Sequence, residues 1–250
     1  MLAYRYMNTF SIGDTIKFGW ETFKKRPWIL IGAMLVVVLI QIALQMVASI
    51  PFLGAIVGIV VGVYVGMGLA RFTLNAHDNV ENVEIRNLLV LHPFWRYVGA
   101  TVLKTLVAGL PIFIVAFSVG FMSAASNASP RDFPDVGPVA IVLLALSGIW
   151  ALIAGLYLMF TEYLVIDKNH MPIEAVKESY RITKGNWWKL LGLCLALGLL
   201  NVLGALALVI GLLVTVPLTM LAIVHVYRTL EHGASEVVPT APLAPVTPRT

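Results

Sequence analysis

The chain has 250 residues, of which 59% are hydrophobic and only 12% charged, about half the charged share of an ordinary soluble protein. With a mean hydropathy of +0.89 there is too little polar surface to cover a water-soluble core, which excludes a soluble globular enzyme. The net charge of +4 does not argue for nucleic acid, because the basic residues stand beside apolar spans, and the single Cys194 excludes an intrachain disulfide or a Cys-based metal cluster.

In chain order, residues 1–26 are polar and charged, so the first apolar run is expected to be a retained anchor and not a cleaved leader. Within them, 12–25 predicts an amphipathic helix. Ile12, Ile16, Trp20 and Phe23 share one side and Asp14, Lys17, Glu21 and Lys24 the other, with Phe18 out of place. Ser11 and Asp14 form a weak capping box. Apolar stretches of about 20 residues cross the hydrocarbon core as helices, and 28–50 and 52–70 are the first two. Gln41 and Gln45 are amides within span one. Span two carries Gly54, Gly58, Gly62 and Gly66, each four apart. These predict one continuous close-packing face, so leucine at Gly58 or Gly62 is expected to disrupt assembly. A dimer contact or a narrow path is the rival explanation of the same stripe.

A second amphipathic segment, short and less regular, falls at 83–91. Span three, 97–122, places Lys104 roughly 10 Å inside the span at about 1.5 Å per residue. Snorkelling or a structural pair explains that lysine, and a role in handling substrate or protons is the alternative. The loop 123–137 contains Asn127-Ala128-Ser129, a glycosylation pattern of little weight before Pro130. Span four, 139–160, leads to Glu162. Read as the C-terminal end of that helix, Glu162 is an unfavourably placed acid and a partner for Lys104.

A third amphipathic helix is predicted at 172–184, with Pro172 in its first turn and Gly185 just past its end. Residues 187–227 are long enough for two spans, five and six, with a turn near 204–211. Asn201 is an amide within span five, for which interhelical hydrogen bonding is the plain explanation. His225 lies near the end of span six as a lone histidine, and Pro111 and Pro217 are expected to kink spans three and six. Residues 233–250 carry proline at every third position from Pro239 to Pro248 and read as a disordered Pro-rich tail.

The chain therefore reads as an all-α polytopic integral membrane protein, with six transmembrane helices in a domain at 1–232 and two or three interfacial amphipathic helices. With both termini cytoplasmic, fifteen Lys and Arg fall on the inner side and Arg131 alone in an outer loop, as the positive-inside rule requires. At an offset of 160 residues Lys17, Trp20, Lys24, Trp28, Gly32 and Gln41 face Lys177, Tyr180, Lys184, Trp188, Gly192 and Asn201. That predicts parallel repeats of interfacial helix plus hairpin, at about 11–75, 83–160 and 172–230. The plainer explanation is that any surface helix entering a span favours Lys, Trp and Gly at these places. No nucleotide loop, metal-binding histidine pair, nucleophile elbow or catalytic carboxylate pair appears in the sequence.

Several stretches also carry a resemblance: Leu164-Val165-Ile166-Asp167, Ala175-Val176-Lys177-Glu178-Ser179, Thr183-Lys184-Gly185-Asn186-Trp187-Trp188, and the runs from Gly211 to Pro217 and from Val226 to Leu230. Together they resemble a bacterial family of integral-membrane proteins of unknown function, which includes the membrane domain fused to some glycerophosphodiester phosphodiesterases. The resemblance implies six spans in a bacterial inner membrane and supplies no catalytic residues. No soluble barrel accompanies the membrane part in this sequence, so phosphodiesterase activity is not carried over. The expectation is a non-enzymatic inner-membrane module, structural or regulatory, without cofactor or metal. It would engage membrane lipids, a membrane-protein partner or a second copy, and not nucleic acid. A small-solute or lipid transporter is the alternative, resting on the repeats, the two span prolines and the polar set Lys104, Glu162, Gln41 and Asn201.

Overall fold

The computed structural model describes residues 10–235 apart from 49, 51, 90, 91, 126–137, 208 and 209. The expected sequon, Arg131 and most of the Pro-rich tail lie outside the described residues. Those described form α-helices with no strand. They are α1 (Ile12–Lys25), α2 (Pro27–Ala48), α3 (Leu53–Asp78), α4 (Phe94–Ala125), α5 (Pro138–Tyr157), α6 (Thr161–Lys168), α7 (Pro172–Thr183), α8 (Trp187–Leu206) and α9 (Leu212–Ser235). Six segments are long and apolar enough to cross a membrane: α2, α3, α4, α5 continued by α6, α8 and α9. The chain is an all-α, six-span membrane protein.

Boundaries differ from the sequence expectation where protein, not lipid, buries the helix. Span two continues to Asp78 because Phe72, Leu74 and Ala76 are buried against other helices. The amphipathic segment at 83–91 is not an α-helix: one 3-10 turn, Val80–Asn82, precedes it and a second, Ile85–Leu88, lies within it. Val83 anchors them in a core shared with Phe72 and Ala76. The face of α1 is also rotated from the expected one. Its buried residues are Thr15, Gly19, Thr22 and Phe23, while Trp20 stays exposed. Glycine at 19 lets α1 close on α9, since a Cβ there would stand 2.9 Å from the Leu218 carbonyl oxygen. The out-of-place Phe18 has its own contact, stacked 4.1 Å from the His225 ring. On the outer arc of α7, the Arg181 guanidinium donates to Glu178 at 2.8 Å and holds that carboxyl below its ordinary range, although burial acts to raise it.

The starts of α2, α4 and α8 share one design that recurs position by position. Each has Trp second: Trp28, Trp95 and Trp188, which are 83%, 80% and 69% exposed. The fourth residues, Leu30, Tyr97 and Leu190, are buried, as are the seventh, Ala33, Ala100 and Leu193. The sixth is glycine, and each glycine receives a side chain from the segment that leads the next unit. Gly32 faces Ile85, Gly99 faces Pro172 and Gly192 faces Ile12.

Larger contacts follow the same order. Each leading segment packs on the closing span of the unit before it: α1 on α9, the 3-10 turns on α3, and α7 on α6. Each first span also touches the preceding closing span, α2 with α9, α4 with α3 and α8 with α5. Three units thus stand in a ring. At the offset of 160, the four buried residues of α1 coincide with Ala175, Ser179, Ile182 and Thr183, the buried residues of α7.

Burial is uneven along the spans. It is concentrated at the end that carries α1 and α7: Leu30 to Met34 on α2, Met67 to Ala76 on α3, Tyr97 and Ala100 on α4, 154–166 on α5 and α6, and 217–230 on α9. In the opposite half the buried positions include Gly54 and Gly204 at the hairpin turns. The turn between α8 and α9 is closed by Gly204 against Gly211, where a Cβ on either residue would meet the other's backbone.

Candidate functional site

Span four is broken. Its first part ends at Tyr157 and its second begins at Thr161, which frees backbone groups that the hydrocarbon interior cannot solvate. The α7 helix supplies their partner. Ser179 Oγ donates to the Tyr157 carbonyl at 2.8 Å and accepts from the Phe160 N–H at 3.3 Å. Thr183 Oγ1 stands 3.2 Å from the same carbonyl and 2.8 Å from Ser179 O. Ser179→Ala is expected to cost about 1–3 kcal/mol, the price of leaving buried polar groups unpaired. It is read as a fall in unfolding midpoint in detergent–lipid micelles. Ser118→Ala should leave the midpoint unchanged, because exposed Ser118 bonds only its own helix at Ile114 O.

The break corrects the expected setting of Glu162. It lies in the first turn of α6, not at a helix C-terminus, so its charge is favoured by the helix dipole. Lys104 Nζ donates to Glu162 Oε1 at 3.1 Å, with the two side chains 28% and 27% exposed. Lys104 stands ten residues from the start of α4, about 15 Å along the axis. Tyr97 and Thr101 precede it on the same helix. The Tyr97 hydroxyl occupies the space left by Gly66, where a Cβ would stand 2.6 Å from it. Thr101 Oγ1 and Thr161 Oγ1 are buried without a partner. A double-mutant cycle with Lys104→Ala and Glu162→Ala should give a coupling of about 1–3 kcal/mol in unfolding free energy. Additive losses would mean that the contact contributes nothing.

The other expected polar residues stand apart from this pair. Asn201 Nδ2 donates to Thr219 Oγ1 at 3.1 Å and joins α8 to α9, while its Oδ1 is buried without a partner. Gln41 and Gln45 are exposed on α2. The four glycines of α3 do not form one packing stripe. Gly54 abuts Val47 and Ala48 of its own hairpin and Gly66 receives Tyr97, but Gly58 and Gly62 have nothing within 4 Å. The first and last turns of the stripe meet protein, and the middle is open.

A second cluster escaped the sequence reading, although it ties one residue from each closing span. Arg228 of α9 donates to both oxygens of Asp78 on α3, at 3.2 and 2.5 Å, and to Asp167 on α6 at 2.8 Å. The Tyr227 hydroxyl donates to the same Asp167 oxygen at 2.8 Å, and Lys168 pairs with Glu231 at 3.1 Å. Asp78 also meets His77 Nδ1 at 2.9 Å, and His77 Nε2 lies 3.3 Å from His225 Nδ1. With both rings neutral, His77 donates to the carboxylate and accepts from His225. His225 is therefore not alone. The available signal was positional: Asp78 and Asp167 are acids in the last turn of helices, where the dipole disfavours them and a cation is needed.

The model of the family described as "Protein of unknown function (DUF975)" matches residues 14–234, and the chain belongs to this family. No curated protein and no solved structure matches the chain. Membership assigns no activity.

Proposed function

We propose that the chain is a non-enzymatic module of the bacterial inner membrane, structural or regulatory, that engages lipid or a membrane partner through the open half of its bundle. The observation that carries this reading is the uneven burial. The half near α1 and α7 is packed, with the Arg228 cluster joining the three closing spans. The other half exposes apolar side chains and the open middle of the α3 glycine stripe. Grooves of that kind accept chains or helices that match hydrocarbon.

Orientation is part of the proposal. Every described Lys and Arg except Lys104 stands towards the α1–α7 end, which makes that end cytoplasmic by the positive-inside rule. The exposed Trp28, Trp95 and Trp188 mark the headgroup level on the same side. The α1 and α7 helices then lie against anionic lipid, with Lys17, Lys24, Lys177 and Lys184 available to it.

A second reading, transport of a small solute or lipid, is favoured by the Lys104–Glu162 pair, because an ionisable pair within a span is costly and often functional. Native mass spectrometry of the protein extracted with its surrounding lipid separates the two. A stoichiometric protein partner, a defined homo-oligomer or tightly held lipid supports the module. A bare monomer that carries a small polar molecule supports transport and rejects it.

A further inference from the structure

We infer that the α4–α5 hairpin is a hinged arm, pivoting at the break in span four and latched by Lys104 and Glu162. Between residues 105 and 153, Ser147 is the one buried side chain among those described, and it bonds within its own helix to Leu144 O at 2.9 Å. Gly109, Gly120 and Gly148 have nothing within 4 Å. The anchoring contacts of α4 lie at its beginning instead, where Gly99 faces Pro172, Tyr97 faces Gly66 and Lys104 meets Glu162. A segment with so few buried contacts to the body opens at low free-energy cost.

Each helix of the arm has one weak point, at Pro111 in α4 and beyond Tyr157 in α5. Pro111 of α4 has no N–H to offer the Val107 carbonyl. That carbonyl instead accepts from Trp150 Nε1 of α5 at 2.9 Å, so the two helices are tied into one body at the weak point. Beyond Tyr157 the α5 helix stops, and the pivot residues 158–160 are held by Ser179 of α7. Across the pivot, the ion pair joins α4 to α6, which stays with the body through its packing on α3 and α7. Movement of the arm changes the seam where α5 packs on α8. This inference does not depend on which occupant the open half takes.

Pulsed electron–electron distance measurements on spin labels test it, in the full chain in lipid nanodiscs and a Cys194→Ser background. Ile114→Cys with Leu199→Cys reports arm against body, and Leu39→Cys with Leu199→Cys reports body against body. The arm pair should give a distribution about twice as broad as the control, as expected for a sub-globally opening unit. Glu162→Gln should broaden it further while the control pair keeps its distance, which also verifies that the variant is folded. An arm distribution as narrow as the control overturns the hinge. A broad one that Glu162→Gln leaves unchanged overturns the latch.

Discussion

Arg228→Ala is expected to cost about 3–5 kcal/mol, the range for breaking a buried ion pair from one side. Its side chain is only 15% exposed and supplies donors to two carboxylates from two other spans. The loss falls unevenly. Asp78 is half exposed and water replaces its partner, whereas Asp167 is 16% exposed and is left with only the Tyr227 hydroxyl and a more distant Lys168. Asp167→Asn in the Arg228→Ala background should therefore recover part of the loss. Lysine at 228 should not substitute well, since it lacks the fork that spans both Asp78 oxygens. Unfolding midpoints in lipid–detergent micelles check all three. An Arg228→Ala protein as stable as the parent would show that the three closing spans are held together by apolar packing alone.

Gly68→Ala is the second large effect. Gly68 is buried on α3 directly against the Leu88 backbone, and a Cβ would overlap the Leu88 carbonyl. Backbone cannot rotate out of the way as a side chain can, so the 3-10 turns must lift from α3. Over-packing of this kind costs about 1–3 kcal/mol, occasionally more. Because those turns also carry Ile85 onto Gly32 of α2, the first unit loosens from the second. Gly58→Ala and Gly62→Ala meet open space and should leave the unfolding midpoint unchanged or slightly raised, by about 0.5–1 kcal/mol from helix propensity. If all three substitutions behaved alike, the contrast between packed and open glycines on α3 would be wrong.

The spans were legible because length and hydropathy are summed over some 20 residues and survive local error. The break in span four was not, since 139–160 is apolar throughout and no Gly or Pro stands at 158–160. It is permitted by hydroxyls on another helix, Ser179 and Thr183, which hydropathy does not register. Without the break the sequence puts Glu162 at the C-terminal end of span four, and with it Glu162 opens α6.

The shared start of α2 and α8 was visible through Trp28, Gly32, Trp188 and Gly192. The middle unit carries the same Trp95 and Gly99, but its leading segment at 83–91 is short and forms no α-helix, so its sequence signal is the weakest of the three. The Lys104–Glu162 contact was within reach because charges inside a span have few possible partners. The Arg228 cluster was not, because residues 78, 167 and 228 come together only when the ring closes.

What fills the open half separates a module from a transport path. Spin labels at Gly58→Cys and Gly62→Cys, again in a Cys194→Ser background in nanodiscs, can be probed with oxygen, which partitions into hydrocarbon, and with a water-soluble nickel chelate. Labels that collide with oxygen and are shielded from nickel would place the open turns of α3 in an apolar groove, as the account predicts. Labels relaxed by nickel would show a water-filled vestibule, contradicting the module and favouring a transport path.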